Sequence, residues 1–421
     1  MKSAFIYKRN TIYFFTSFIW TATLSVLPQV FFMTYYPEHK NTFLSLFLLL
    51  GTLASVAGIL TSQNNKFYSS LTATAQRRNL VTASCIFATA VTFSGLFLVR
   101  NLSLYFACFI LMKFISNLFY NWIDRLFVAR SDREQLEIHV RSNLIFQLLG
   151  IMIAPLYFSV YISNTTTNLV LIWTMAILSM VLLMITDDGK KVSPNYRKND
   201  PLFPQEKLSL YHRLFVAYSI LILTSVTMLI SMMIYILKDY YKFDNPAAKG
   251  GTIIGVISAF AVITVLMSGV LSTPQIKLQN KVSSHQVFSP WPNGIALFVL
   301  ILTTLAFYLK ISSSFYILLC LCSFAGISYG IFLFYTRNYA SSASKNPGLI
   351  SVYNNLPNYA SLAGYLLTLP VSFVAKTKAL DFSRLMLGII LAFFVLSFLT
   401  LYLISIKNQS FEEKGGGGRD C

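Results

Sequence analysis

Lys113, Asn117 and Asn121 recur every fourth residue, and Asp124 and Arg125 continue the row three and four residues further on. At 3.6 residues per turn these positions share one face of a helix. Most residues between them are apolar or aromatic, among them Phe114, Ile115, Leu118 and Phe119. An ammonium followed by two carboxamides on such a face could hold a carboxylate or another anion by charge-assisted hydrogen bonds. An ammonium deep in hydrocarbon is costly, so the row has to face a hydrated cavity or a bundle interior instead of lipid. The plainer reading is a polar contact between helices with Lys113 snorkelling, which a mid-span position makes difficult.

Other polar side chains interrupt otherwise apolar stretches and extend this candidate surface. Gln29 follows Pro28 in the first stretch, and Gln147 follows Asn143 by four residues in the fifth. Tyr329 precedes Arg337 in the tenth, and Asn354, Asn355 and Asn358 open the eleventh. The amides of the eleventh stretch either line a solute path or form a gate. Catalysis has little to work with. The four His fall outside the apolar stretches, no pair of mid-stretch carboxylates exists, and of the fifteen Asp and Glu only Asp124 lies inside one. No glycine-rich phosphate cradle appears, and no Cys/His cluster has metal-ligand spacing. The sequence therefore predicts neither an enzyme nor a bound cofactor or metal.

The elements that carry these residues follow from composition. Hydrophobic residues make up 55% of the 421, and only 11% are charged, about half the share in soluble domains. Apolar segments long enough to cross a bilayer are expected at 11–33, 42–61, 80–99, 103–127, 143–162, 168–186, 213–237, 251–273, 293–310, 314–336, 350–374 and 384–406. The first is too long for a signal-peptide core. A polar, Pro-containing linker at 187–212 divides the chain into six spans and six: an N-terminal bundle over 1–186 and a C-terminal bundle over 213–406, followed by a flexible tail over 407–421. Most of the 33 Lys and Arg lie in loops on the side of the N-terminus. That bias predicts both termini in the cytoplasm. The net charge of +18 is explained by these loops, and no aromatic-basic motif points to nucleic acid.

Six plus six spans around a charged central linker resemble the major facilitator superfamily. The closest motif is Lys113 in the fourth span, Asp132 nineteen residues later and Arg141 near the start of the next helix, with Lys where Arg is usual and Asn117 where Gly is common. Gly58 and Arg77–Arg78 stand at the ends of the region between spans two and three, and Gly150 and Pro155 represent the fifth-span motif of antiporters. The resemblance implies an all-α integral membrane protein of twelve helices in two six-helix bundles. It also implies a secondary transporter in the cell membrane, monomeric, driven by a proton gradient and weighted towards export. On that reading Lys113, Asn117, Asn121, Gln29, Gln147, Tyr329, Asn354, Asn355 and Asn358 contact a small anionic or carboxylate solute, a metabolite or siderophore. Asp124, Arg125, Asp132, Arg141 and Arg337 then serve coupling or gating. A non-transporting receptor or assembly partner on the same scaffold is the alternative.

Overall fold

The computed structural model describes residues 2–64, 75–128, 133–186, 210–279, 290–343 and 347–415, and among these there is no β-strand. The α-helices run α1 Lys2–Ser25, α2 Leu27–Tyr35, α3 Lys40–Gln63, α4 Ala75–Leu98, α5 Leu102–Val128, α6 Arg133–Tyr161 and α7 Thr165–Thr186. They continue as α8 Leu210–Tyr235, α9 Pro246–Gln279, α10 Pro290–Tyr308, α11 Phe315–Ala343, α12 Pro347–Thr377 and α13 Phe382–Gly415. Twelve described stretches are long and apolar enough to cross a membrane, α1 and α2 together making the first. Large apolar side chains such as Leu80, Leu104, Val170, Ile295 and Leu399 stand exposed on their outer faces. Water would penalise that surface, whereas lipid accepts it. This is an all-α integral membrane protein.

Two spans are broken, each for a local reason. Pro28 sits at the start of α2, where its missing N–H and its ring interrupt the ladder that would join α1 to α2. In the seventh span α8 gives way to a π-helical turn over Ile236–Tyr240. The expected short break between spans nine and ten is present: α10 ends at Tyr308, α11 begins at Phe315, and Lys310 between them takes φ 52°.

Helices α1–α7 pack chiefly among themselves, with α1 on α6 and α3 on α5, and α8–α13 do likewise, with α9 on α11 and α8 on α13. The two sets meet along α6 against α9 and α3 against α12. Most of the expected linker at 187–212 lies outside the described residues, and its last three positions are helical because α8 begins at Leu210. The final helix likewise continues to Gly415, into the segment read as a flexible tail. The apolar ladder of α13 carries helical hydrogen bonding onward through Lys407–Lys414, residues with no helix breaker among them.

Small residues set the closest approaches. A methyl group on Gly150 would lie 2.7 Å from the Phe14 carbonyl oxygen, so α6 can rest on α1 only with hydrogen at that position. At the junction of the two sets, a methyl on Gly251 of α9 would lie 2.4 Å from the Pro155 carbonyl oxygen of α6. Gly251→Val should therefore lower the thermal unfolding midpoint in detergent, on the scale of the about 1–3 kcal/mol typical of overpacking. Gly294→Ala, where the added carbon meets only Leu401 at 3.9 Å, should leave the midpoint unchanged.

Candidate functional site

Helix polarity and loop contacts place residues 34–41, 237–246 and 377–382 together at one end of the bundle, here the distal end, opposite the start of α1. Lys113 lies eleven residues along α5 from that end, about 16 Å at 1.5 Å per residue, which is half of a hydrocarbon core of about 30 Å. Its side chain is only 5% exposed. The ammonium stands 5.6 Å from the ring centroids of Trp20 on α1 and Phe109 one turn earlier on α5. Both are at the range of a cation–π contact. No carboxylate lies within ion-pair distance of it among the described residues.

Amides continue the surface from that ammonium towards the opposite end. Asn117 is fully buried and donates to the Ser55 hydroxyl at 3.0 Å and to the Lys113 carbonyl at 2.9 Å. Its side-chain oxygen, Oδ1, has no partner among the described residues. Asn121 donates to the Asn117 backbone carbonyl at 2.9 Å and accepts from the Asn355 side-chain amide of α12 at 2.5 Å, which ties the two helix sets together. Gln147 of α6 donates to the Tyr120 hydroxyl. The Tyr120 ring packs against Tyr13 and Trp20 at 5.2 Å each, and Trp20 donates its indole N–H to Ser116 at 2.9 Å. Lys113, Asn117, Asn121, Gln147 and Asn355 thus belong to one connected surface.

Gln29 lies elsewhere. Its side-chain oxygen accepts the Ile234 backbone N–H at 3.1 Å, and the Tyr235 hydroxyl reaches its backbone carbonyl at 3.4 Å. It is a tie between α2 and α8 on the distal side of Lys113. Two further contacts join the sets at the distal face: Lys40 to Asp239 at 2.6 Å, and the Lys376 ammonium to His39 Nδ1 at 3.0 Å. Tyr241 closes the region from the second set. It donates to the Phe307 carbonyl at 3.1 Å, and burial holds its phenol above the ordinary range, so it stays a donor. Tyr329 is half-buried on α11, stacked on Phe332, and Asn358 is half-buried on α12. Asp124 and Arg125 fall on α5, Arg141 on α6, Arg337 on α11 and Asn354 on α12, with their side chains outside the described residues. Asp132 lies outside them altogether.

Sequence reasoning passed over Ser116 and Tyr120, although they stand three and seven residues from Lys113 and so share its face. It had no means of finding the distal ties, whose partners are about two to three hundred residues apart.

No family model matches the chain, and no curated protein sequence matches it. Solved structures do. The human organic anion transporter MFSD10 (TETRAN) aligns with a TM-score of 0.65 over 95% of this chain and 99% of its own, at 13% identity. A bacterial homologue of the iron transporter ferroportin, in an outward-facing state, gives 0.62 over 96% and 99%, at 16% identity. The nucleoside transporter NupG gives 0.59 over 96% and 98%, at 14% identity. The chain shares its fold with these transporters. Each alignment spans both helix sets.

Replacing Gln29 with Leu removes the acceptor of the Ile234 N–H, a loss of about 1–3 kcal/mol for a buried group. The variant should shift the protein towards distally open forms. The expected reading is a longer mean distance between spin labels on Tyr35 and Lys378, measured by double electron–electron resonance.

Proposed function

We propose that this protein is a secondary transporter that moves a small anionic organic solute, carrying one or more carboxylates, by alternating access between the two helix sets. The supporting observation is the Lys113 ammonium: buried at mid-membrane depth, flanked by aromatic rings and lacking a carboxylate counter-ion among the described residues. A charge kept there without a protein partner is a vacancy for an anion. The Asn117 side-chain oxygen beside it lacks a donor and would accept one from a hydroxyl or a protonated carboxyl of the solute. Asn121, Asn355 and Gln147 would complete the polar wall, with Tyr329 and Asn358 facing it from the second set in another conformation.

The twelve-span fold shared with transporters of organic anions and nucleosides supports solute movement without nucleotide hydrolysis. Metabolite or siderophore carboxylates suit the charge. The proposal extends to a cell-membrane location with cytoplasmic termini, which follows from the loop charges, to a monomer, and to proton-driven export, for which Gly150 and Pro155 are the sequence support. On this reading Asp124 would exchange the proton, and Arg125, Asp132, Arg141 and Arg337 would steady the gate at the cytoplasmic end.

Proteoliposomes containing the purified protein should carry a labelled panel of mono-, di- and tricarboxylates, with flux rising when a pH gradient is imposed. Lys113→Gln should cut flux of the accepted solute about ten- to a hundred-fold, the loss of one charge-assisted hydrogen bond of about 1.5–3 kcal/mol, while Lys113→Arg retains part of it. Equal flux in Lys113→Gln and the parent would overturn the site. A preference for cations across the panel would overturn the solute class.

A further inference from the structure

The distal face holds a cavity of about 470 Å³ whose walls come from both helix sets. That volume lies within the range of sites for small molecules. Glu38, Asn41 and Thr42 form the wall of the first set. Asp239, Lys242 and the segment from Ser372 to Ser383 form that of the second. The cavity is separate from the Lys113 surface, with the Gln29–Ile234 tie between them.

We propose that this cavity binds a small zwitterion, one ammonium and one carboxylate on a short skeleton, and that its occupancy holds the distal end shut. The charges of the lining carry the choice of ligand. Its carboxylates are Glu38, Asp239 and Asp381, and its ammonium groups are Lys242 and Lys376. Lys40 lies 2.6 Å from Asp239 and neutralises it. Glu38 and Asp381 remain beside Lys242 and Lys376, whose ammonium also meets the lining residue His39 at 3.0 Å, a balanced set that favours a guest with one charge of each sign over a guest with a single charge. Asp381 is held in place by the backbone N–H groups of Ser383 at 3.0 Å and Arg384 at 3.2 Å.

The effect on conformation follows by linkage. Asn41 and Glu38 belong to one helix set, and Lys242, Asp381 and Ser383 to the other. A guest meets the full complement only while the sets are in contact distally, so it binds that form more tightly and shifts the population towards it. The binding step depends on the cavity alone. Only the consequence for flux rests on the transport reading above.

The test uses full-length protein in nanodiscs, with glycine and γ-aminobutyrate as zwitterionic probes and acetate and methylammonium as single-charge probes at matched ionic strength. Glycine or γ-aminobutyrate should raise the unfolding temperature saturably at millimolar concentrations, at least ten-fold more tightly than either single-charge probe. Glu38→Gln and Lys242→Met, both at exposed positions, should each weaken the zwitterion at least five-fold. Lys113→Gln should leave the response intact, so failure of the transport site and failure of this one are told apart. The distance between labels on Tyr35 and Lys378 should shorten and narrow on adding the zwitterion. A response to acetate or methylammonium equal to that of the zwitterions, no saturable response to any probe, or an undiminished response in both Glu38→Gln and Lys242→Met would overturn the proposal.

Discussion

Within hydrocarbon, two helix sets gain nothing from apolar contact that lipid tails would not also supply. What holds this protein's halves against each other is therefore close backbone approach and a few polar ties. The approach is made at Gly251 on the Pro155 carbonyl. The ties are Asn121 with Asn355 towards one end, and Gln29 with Ile234, Lys40 with Asp239 and Lys376 with His39 towards the other. Lys113 lies between these two groups of ties. Its ammonium is enclosed because helices close over it on both sides, and the polar row on α5 is enclosed for the same reason.

Each polar tie is modest. A partly exposed ion pair such as Lys40–Asp239 contributes at most about 1 kcal/mol, and interhelical hydrogen bonds in membranes average well under 2 kcal/mol. Weak, separate ties would let the halves part at one end while meeting at the other, as the proposed transport cycle requires. A broad interlocked seam would fix a single arrangement. Local breaks add to this: Pro28 uncouples α2 from α1, and the π-turn at Ile236–Tyr240 loosens the end of the seventh span where it faces α2.

The twelve spans were legible from the sequence because a run of about twenty apolar residues has one good solution in a bilayer, and the row Lys113, Asn117, Asn121 was legible because its period is that of a helix. Gly150, which the sequence offers as half of a fifth-span motif, packs on the Phe14 carbonyl. What the sequence hid was pairing. Gln29 looks the same whether it faces a solute or caps an amide on α8, since nothing local distinguishes the two. Asp239 and His39 read as ordinary loop residues because their partners, Lys40 and Lys376, reach them only through the closure of the whole bundle. Loop and end positions also depend on how far an apolar helix runs on past the membrane, which is why α8 starts earlier and α13 finishes later than hydropathy alone places them.

The contact of Gly251 on the Pro155 backbone has a mechanical consequence. At that point main chain lies against main chain with only the small Ser159 side chain beside it, so little has to rearrange there when one surface rolls over the other. Friction there is low, and α6 and α9 can act as a bearing, with the leverage at either face set by how far the polar ties stand from that axle.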